Sequence, residues 1–127
     1  MAIVIVDPNK IEKDTINEWL NRTDYSLLTT SGIALLAADS PHSMELVNEW
    51  IKDTPKHKAC AYACLNGSII KDPNFDIEII EKYLKIIEDT IISQPDDIQI
   101  QMNGFVASVG CQIIGYQERC IELYKKY

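Results

Sequence analysis

The sequence predicts an all-α fold in which antiparallel helix pairs stack as an α-helical solenoid. Apolar residues at 77, 80, 84, 87 and 91 follow helical spacing. A nine-residue pattern also recurs, because "INEWLNRTD" at 16–24 matches "VNEWIKDTP" at 47–55, a period of 31 residues. In both copies a tryptophan ends the first helix of a pair and a turn follows; a looser third copy places Tyr83 33 residues after Trp50. Such periods are typical of helical repeat proteins.

The chain begins with "MAIVIV", which is β-branched and resembles a strand. No second strand-like run follows to pair with it, so we predict the buried end of a helix that begins outside this chain. The segment "DPN" then breaks the chain. The first complete helix is expected to be capped by Asp14 or by Thr15, since Thr15 and Glu18 fit the capping-box spacing. It would bury Ile16, Trp19 and Leu20.

Six further helices are predicted from turn and cap signals. Pro55 occupies a natural first helical position, and "KDPNFD" and "IIGYQ" read as a linker and a turn. The predicted ranges are 24–38, 41–52, 55–71, 76–93, a sixth helix from 95, and a seventh that reaches the C-terminus.

Composition fits one globular domain over residues 1–127, with 46% hydrophobic and 24% charged residues. The net charge of −7 argues against strong nonspecific nucleic-acid binding, because phosphate contacts come from Lys and Arg. Residues 72–97 carry eight acids and two lysines, a surface that should repel DNA. Four cysteines give no disulfide-scaffold density, and no signal peptide or bilayer-length apolar run is present. We therefore expect a cytoplasmic protein with reduced thiols and no membrane partner.

Two clusters carry candidate chemistry. His57, Cys60 and Cys64 share one helical face, so a zinc ion could use all three with His42 as a fourth ligand. Small-residue helix packing explains "ACAYAC" as well; we favour packing and expect no metal and no cofactor. Around the start of the same helix, the segment "KDTPKHK" (52–58) combines lysines with backbone N–H groups that could hold a phosphate. A solvated surface turn is the alternative for this basic cluster.

Three segments together resemble the DNA alkylation repair family of HEAT-like repeat DNA glycosylases. They are "MAIVIVDPNKI…TINEWLNRTDYSLLTTSG", "VNEWIKDTPKHKACAYACL" and "DDIQIQMNGFVASVGC", and the resemblance covers essentially the whole chain. Its most specific part is "MNG" at 102–104 followed by "VG" at 109–110. The resemblance implies a right-handed solenoid of HEAT-like helix pairs and hydrolysis of the N-glycosidic bond of a cationic alkylated purine. It also implies a shortened member or a fragment of a larger repeat array, without the family's N-terminal repeats and C-terminal tail.

The family's site pairs an aromatic residue with an aspartate one helical turn later, and these positions fall on Tyr25 and Thr29. Thr29 is neutral and cannot stabilise a sugar cation as an aspartate does. The neighbouring Asp24 is expected to point to a different helical face. The resemblance therefore implies glycosylase activity that is weak or absent, with no assignable catalytic residue.

The family's arginine falls on Lys58, and a basic residue before the "MN" element falls on Gln99. Tyr25, Lys56 and Lys58 are thus the candidate DNA-binding residues, and duplex DNA is the expected partner through the local basic patch. The alternative is a helical-repeat scaffold that binds a protein on its concave face. Exposed stacking faces at the ends of the array would also favour a homodimer.

Overall fold

A computed structural model of the protein describes residues 7–72 and 74–125. The segment "MAIVIV", predicted as a helix end, lies outside these residues. The described part contains helices and turns and no strand. Its elements are α1 (Lys13–Arg22), α2 (Ser26–Leu28), a π-helical turn (Thr29–Ile33), α3 (Ala34–Asp39), α4 (Ser43–Trp50), α5 (Pro55–Lys71), α6 (Ile77–Thr90), a 3₁₀ turn (Ile91–Ser93), α7 (Asp96–Gln112) and α8 (Gln117–Lys125).

These elements form helix pairs joined by short turns. The first pair is α1 with the continuous helical stretch from α2 to α3, the second is α4 with α5, and the third is α6 with α7. The second helices lie side by side in one layer, with α5 packed between α3 and α7. Helix α8 then packs on α7. The predicted all-α architecture of paired helices is confirmed.

Two of the three repeated aromatic residues fill the core of this stack, whereas Trp19 is half-buried against it. Trp50 of α4 is 1% exposed, and its indole N–H donates to the Asn17 side chain of α1 at 2.8 Å. Tyr83 of α6 is also buried, with its ring edge-to-face against Tyr62 and Phe105. Trp50 therefore joins the first helices of neighbouring pairs, while Tyr83 joins α6 to the layer of second helices.

Cap chemistry explains where the predicted boundaries succeed and fail. Helix α5 starts at Pro55 as predicted, because the Thr54 hydroxyl accepts from the His57 amide. The capping box predicted for α1 is wrong. That helix begins at Lys13 after Glu12, whose carbonyl accepts from the amides of residues 15 and 16. Buried Ile11 anchors the chain just before this point, so the helix starts before Thr15.

Glycines let the second helices approach closely. A Cβ on Gly67 of α5 would lie 3.0 Å from the Leu35 side chain and 3.2 Å from the Ala38 Cβ of α3. A Cβ on Gly110 of α7 would lie 3.1 Å from the Cys120 Cβ of α8. Side chains at these positions would push neighbouring helices apart, so Gly67 sets the spacing between α3 and α5 and Gly110 sets that between α7 and α8.

Candidate functional site

A groove of about 330 Å³ opens where the second helices of the three pairs begin. Because these helices lie side by side in the same direction, their first turns meet at one edge of the layer. We call this opening the N-terminal groove. It is lined by Asp24, Leu27, Thr29, Thr30, Pro55, Lys56, Ala59, Pro95, Asp97, Ile100 and Gln101.

Thr29 lies at the start of the π-helical turn and lines the groove. The residue is 2% exposed, and its carbonyl accepts a hydrogen bond from the Cys60 thiol at 3.5 Å. Single π-helical turns occur often at functional sites, because the extra residue redirects neighbouring side chains. At the position that the resemblance assigns to the family's aspartate, the groove thus holds a buried, uncharged hydroxyl.

The structure separates the three candidate DNA-binding residues. Lys56 lines the N-terminal groove, whereas Tyr25 and Lys58 are not among the described residues that line it. Tyr25 is 58% exposed. Lys58 follows Lys56 by two residues on α5, about 200° around the helix axis, so it points away from the groove. Thr29 and Lys56 are therefore the sequence-predicted site residues that the groove brings together.

Two carboxylates, Asp24 and Asp97, also line the groove. The expectation that Asp24 points to a different helical face is wrong, because helix α2 begins only at Ser26 and leaves Asp24 in the preceding turn. The Lys56 ammonium lies 3.8 Å from the Asp24 carboxylate and donates to the Thr23 carbonyl at 3.2 Å. The Lys56 ammonium, which lines the groove, is thus already engaged by the turn that contains Thr23 and Asp24.

Sequence reasoning missed Asp97. A signal was available, because Asp97 is the second residue of α7 just as Lys56 is the second residue of α5. Stacked helices bring equivalent first-turn positions together, so both side chains reach the same groove.

Aliphatic side chains complete the groove. Leu27 from α2 is 60% exposed and Ile100 from α7 is 62% exposed, although both line it. The Gln101 side chain adds a neutral amide beside them. The groove therefore offers exposed apolar surface and hydrogen-bonding groups with little positive charge.

His57 of the basic cluster and the cysteine face serve packing roles in the described residues. The His57 ring bonds to the Asn21 side chain at 3.0 Å and to the Thr54 hydroxyl at 2.6 Å. Burial lowers the pKa of His57, which favours the neutral ring. Burial also raises the pKa of the Cys60 thiol to about 11 and that of Cys64 to about 12. Both thiols are thus held protonated among apolar neighbours.

No group of three or more His, Cys, Asp or Glu side chains within residues 7–72 and 74–125 is arranged to hold a metal ion. The other position carried over from the family, Gln99, donates its side-chain amide to the Ile91 carbonyl at 2.8 Å. It therefore fixes the 3₁₀ turn to α7. Across the same described ranges, no helix has the length and apolar character needed to cross a bilayer.

Comparison with solved structures identifies the fold. The chain superimposes with a TM-score of 0.88 on a structure from "a new family of proteins related to the HEAT-like repeat DNA glycosylases with affinity for branched DNA structures". The chain has the HEAT-like repeat fold. The superposition covers 98% of this chain at 20% identity, and this chain spans 54% of that one. No protein-family model and no curated protein matches the sequence. The predicted solenoid of HEAT-like helix pairs is confirmed.

Proposed function

We propose that this HEAT-like chain is a DNA-binding protein related to the alkylpurine DNA glycosylases, with N-glycosidic hydrolysis that is weak or absent. The observation that carries the proposal is the 0.88 TM-score likeness to a protein described as having affinity for branched DNA. The N-terminal groove, built from the first turns of three stacked helices, is the surface that we assign to DNA.

The proposal of weak catalysis rests on the charges in the groove. A stabiliser of the sugar cation works best as a fixed negative group in a site that excludes water. Thr29 is shielded from water but uncharged. Asp24 is charged, but its side chain is 99% exposed and lies near the Lys56 ammonium. Neither residue combines charge with exclusion of water.

A base-release assay on duplex DNA that contains 7-methylguanine tests this half of the proposal. We expect no excision above background from the natural chain. We also expect none from Thr29→Asp, because burial would raise the pKa of the new carboxyl and favour its neutral form. Robust excision by the natural chain that is lost in Asp24→Asn would overturn this account, since it would make Asp24 the working carboxylate. Asp96→Asn, at an exposed position beside the groove, is the matched control.

The DNA-binding half predicts modest, salt-dependent affinity. Lys52 and Lys58 lie near the start of α5 and outside the lining of the groove, and two phosphate contacts correspond to a slope of log K against log salt of about −1.8. Lys58→Gln should reduce the steepness of that slope by about 1. Lys85→Gln, at an exposed position of the acidic helix α6, should leave it unchanged.

A protein partner on the concave face is the second candidate function. The observation in its favour is the charge of the groove, where Asp24 and Asp97 outweigh Lys56. A chain without measurable, salt-dependent affinity for any DNA would exclude the first proposal and leave this one.

A further inference from the structure

We propose that the N-terminal groove receives an unpaired base at a DNA branch point, held between Leu27 and Ile100, and does not receive a phosphate. This inference rests on the proposed DNA-binding function and names the part of the DNA that the groove recognises. Its starting point is the pair of exposed aliphatic side chains on helices from the first and third repeats.

Charge decides against a phosphate in the groove. A phosphate there would lie beside the carboxylates of Asp24 and Asp97. The Lys56 ammonium is already committed to the Thr23 carbonyl and lies 3.8 Å from Asp24. The phosphates of the DNA arms must therefore lie outside the groove, towards lysines such as Lys58.

A base fits the same lining. Its faces are flat and weakly polar, so they bury favourably against Leu27 and Ile100. Its amino groups are hydrogen-bond donors, and carboxylates such as that of Asp97 accept from them, as acidic side chains do with cytosine. The Gln101 amide both donates and accepts. Exposed apolar side chains that would be unfavourable in water thus acquire a ligand that covers them.

The geometry of DNA explains why such a groove would distinguish branched from linear DNA. In a linear duplex both faces of each base are stacked, and extraction of a base costs a few kcal/mol. At a branch point stacking is interrupted, so a base is available at lower cost. The apolar walls would therefore strengthen binding to the branch while they leave binding to the arms unchanged.

The test compares a three-way junction that carries unpaired bases at its branch point with a linear duplex of the same composition. The natural chain is measured beside the double variant Leu27→Ser with Ile100→Ser. Both replaced side chains are largely exposed, so the fold should be retained; thermal unfolding checks this. The matched control is Ile114→Ser, since Ile114 is 100% exposed and lies in the turn between α7 and α8. We expect the double variant to lose about tenfold in junction affinity, with duplex affinity unchanged, and the control to behave as the natural chain. The conservative double variant Leu27→Met with Ile100→Met should keep the junction preference.

A 2-aminopurine reporter gives an independent readout. An unpaired 2-aminopurine at the branch should change its fluorescence when the natural chain binds, and should not do so with the serine double variant. The same reporter within a duplex arm should not respond to either protein.

The outcomes separate this inference from the proposed function. A natural chain that binds neither DNA refutes the proposed function and this inference with it. A natural chain that prefers the junction, together with a serine variant that keeps the full preference, refutes the inference alone. Asp97→Asn tests the excluded alternative: a much larger gain in affinity than that of Asp96→Asn, with a steeper salt slope, would place a phosphate in the groove and overturn the proposal.

Discussion

The spacing between second helices makes a quantitative prediction about two glycines. Gly67 in α5 and Gly104 in α7 both lie inside long helices, where replacement by alanine gains about 1 kcal/mol of helix propensity. Their surroundings differ. The new Cβ at Gly67 would meet the Ala38 Cβ at 3.2 Å, whereas that at Gly104 would meet the end of the Asn66 side chain at 3.3 Å.

The neighbour decides the sign of each effect. Ala38 is fixed to the backbone of α3, so Gly67→Ala must separate two packed helices, and such overpacking costs about 1–3 kcal/mol. Leu35, 44% exposed, can rotate away and adds little. The expected net result is a loss of about 1 kcal/mol of unfolding free energy. Asn66 can shift by a few tenths of an ångström, so Gly104→Ala should be neutral or stabilising by about 0.5 kcal/mol.

Urea unfolding followed by circular dichroism at 222 nm measures both variants against the natural chain. The double variant Gly67→Ala with Ala38→Gly removes the contact and supplies the thermodynamic cycle. The double variant should not carry the overpacking cost, so the cycle should give a coupling free energy between positions 67 and 38 of about 1 kcal/mol or more. If the Gly67→Ala variant is as stable as the Gly104→Ala variant, or if position 67 shows no coupling to Ala38, then Gly67 does not set the helix spacing.

Three further predictions follow from the cysteines and from α8. A disulfide reagent that gives a coloured product should label exposed Cys111 at pH 8 within seconds, and Cys60 and Cys64 only after denaturation; fast reaction of all thiols would refute their burial. A thiol with an ordinary pKa near 9 ionises in the unfolded chain, whereas the folded values are about 11 for Cys60 and about 12 for Cys64. The contribution of these protonated thiols to the free energy of unfolding should therefore be complete below pH 9 and be lost as the pH rises towards 11–12. The midpoint of urea unfolding should fall over this range, and a midpoint that stays constant from pH 8 to 10.5 would contradict the prediction. Glu81→Gln should accelerate amide hydrogen exchange in α8 and not in α5, because the Glu81 carboxylate accepts from the Tyr116 hydroxyl at 2.5 Å and pairs with Arg119 of α8. Equal exchange of α8 in the variant and in the natural chain would show that this link is dispensable.

The sequence predicted those helix boundaries that depend on local chemistry. Helix α5 was predicted over its full length, because Thr54 and Pro55 carry the start signal within two residues. The start of α1 was missed because tertiary burial of Ile11 fixes the chain before the hydroxyl at Thr15 can act as a cap. The π-helical turn at Thr29–Ile33 was also missed, since no residue pattern distinguishes it from an ordinary helix.

The sequence predicted those residues of the groove whose placement depends on their position along a single helix. Thr29 and Lys56 line the N-terminal groove, whereas Lys58 is not among the residues that line it; their part in DNA binding stays a prediction. Asp24 was misplaced because its role depends on helix α2 starting two residues after it. Asp97 required knowledge of which helices lie side by side, which is a tertiary property that no single segment contains.

The HEAT-like fold does not by itself determine which ligand the groove takes. The stack is held by buried faces such as those around Trp50, whereas the groove chemistry comes from first-turn side chains that are largely exposed. Substitutions at exposed positions usually change stability by less than about 0.5 kcal/mol. The same stack can therefore present a basic, acidic or apolar groove at little energetic cost. In this chain the carboxylates of Asp24 and Asp97 disfavour phosphate, while Leu27 and Ile100 favour an apolar face. Under the proposed function, recognition would therefore depend on what DNA exposes between its phosphates.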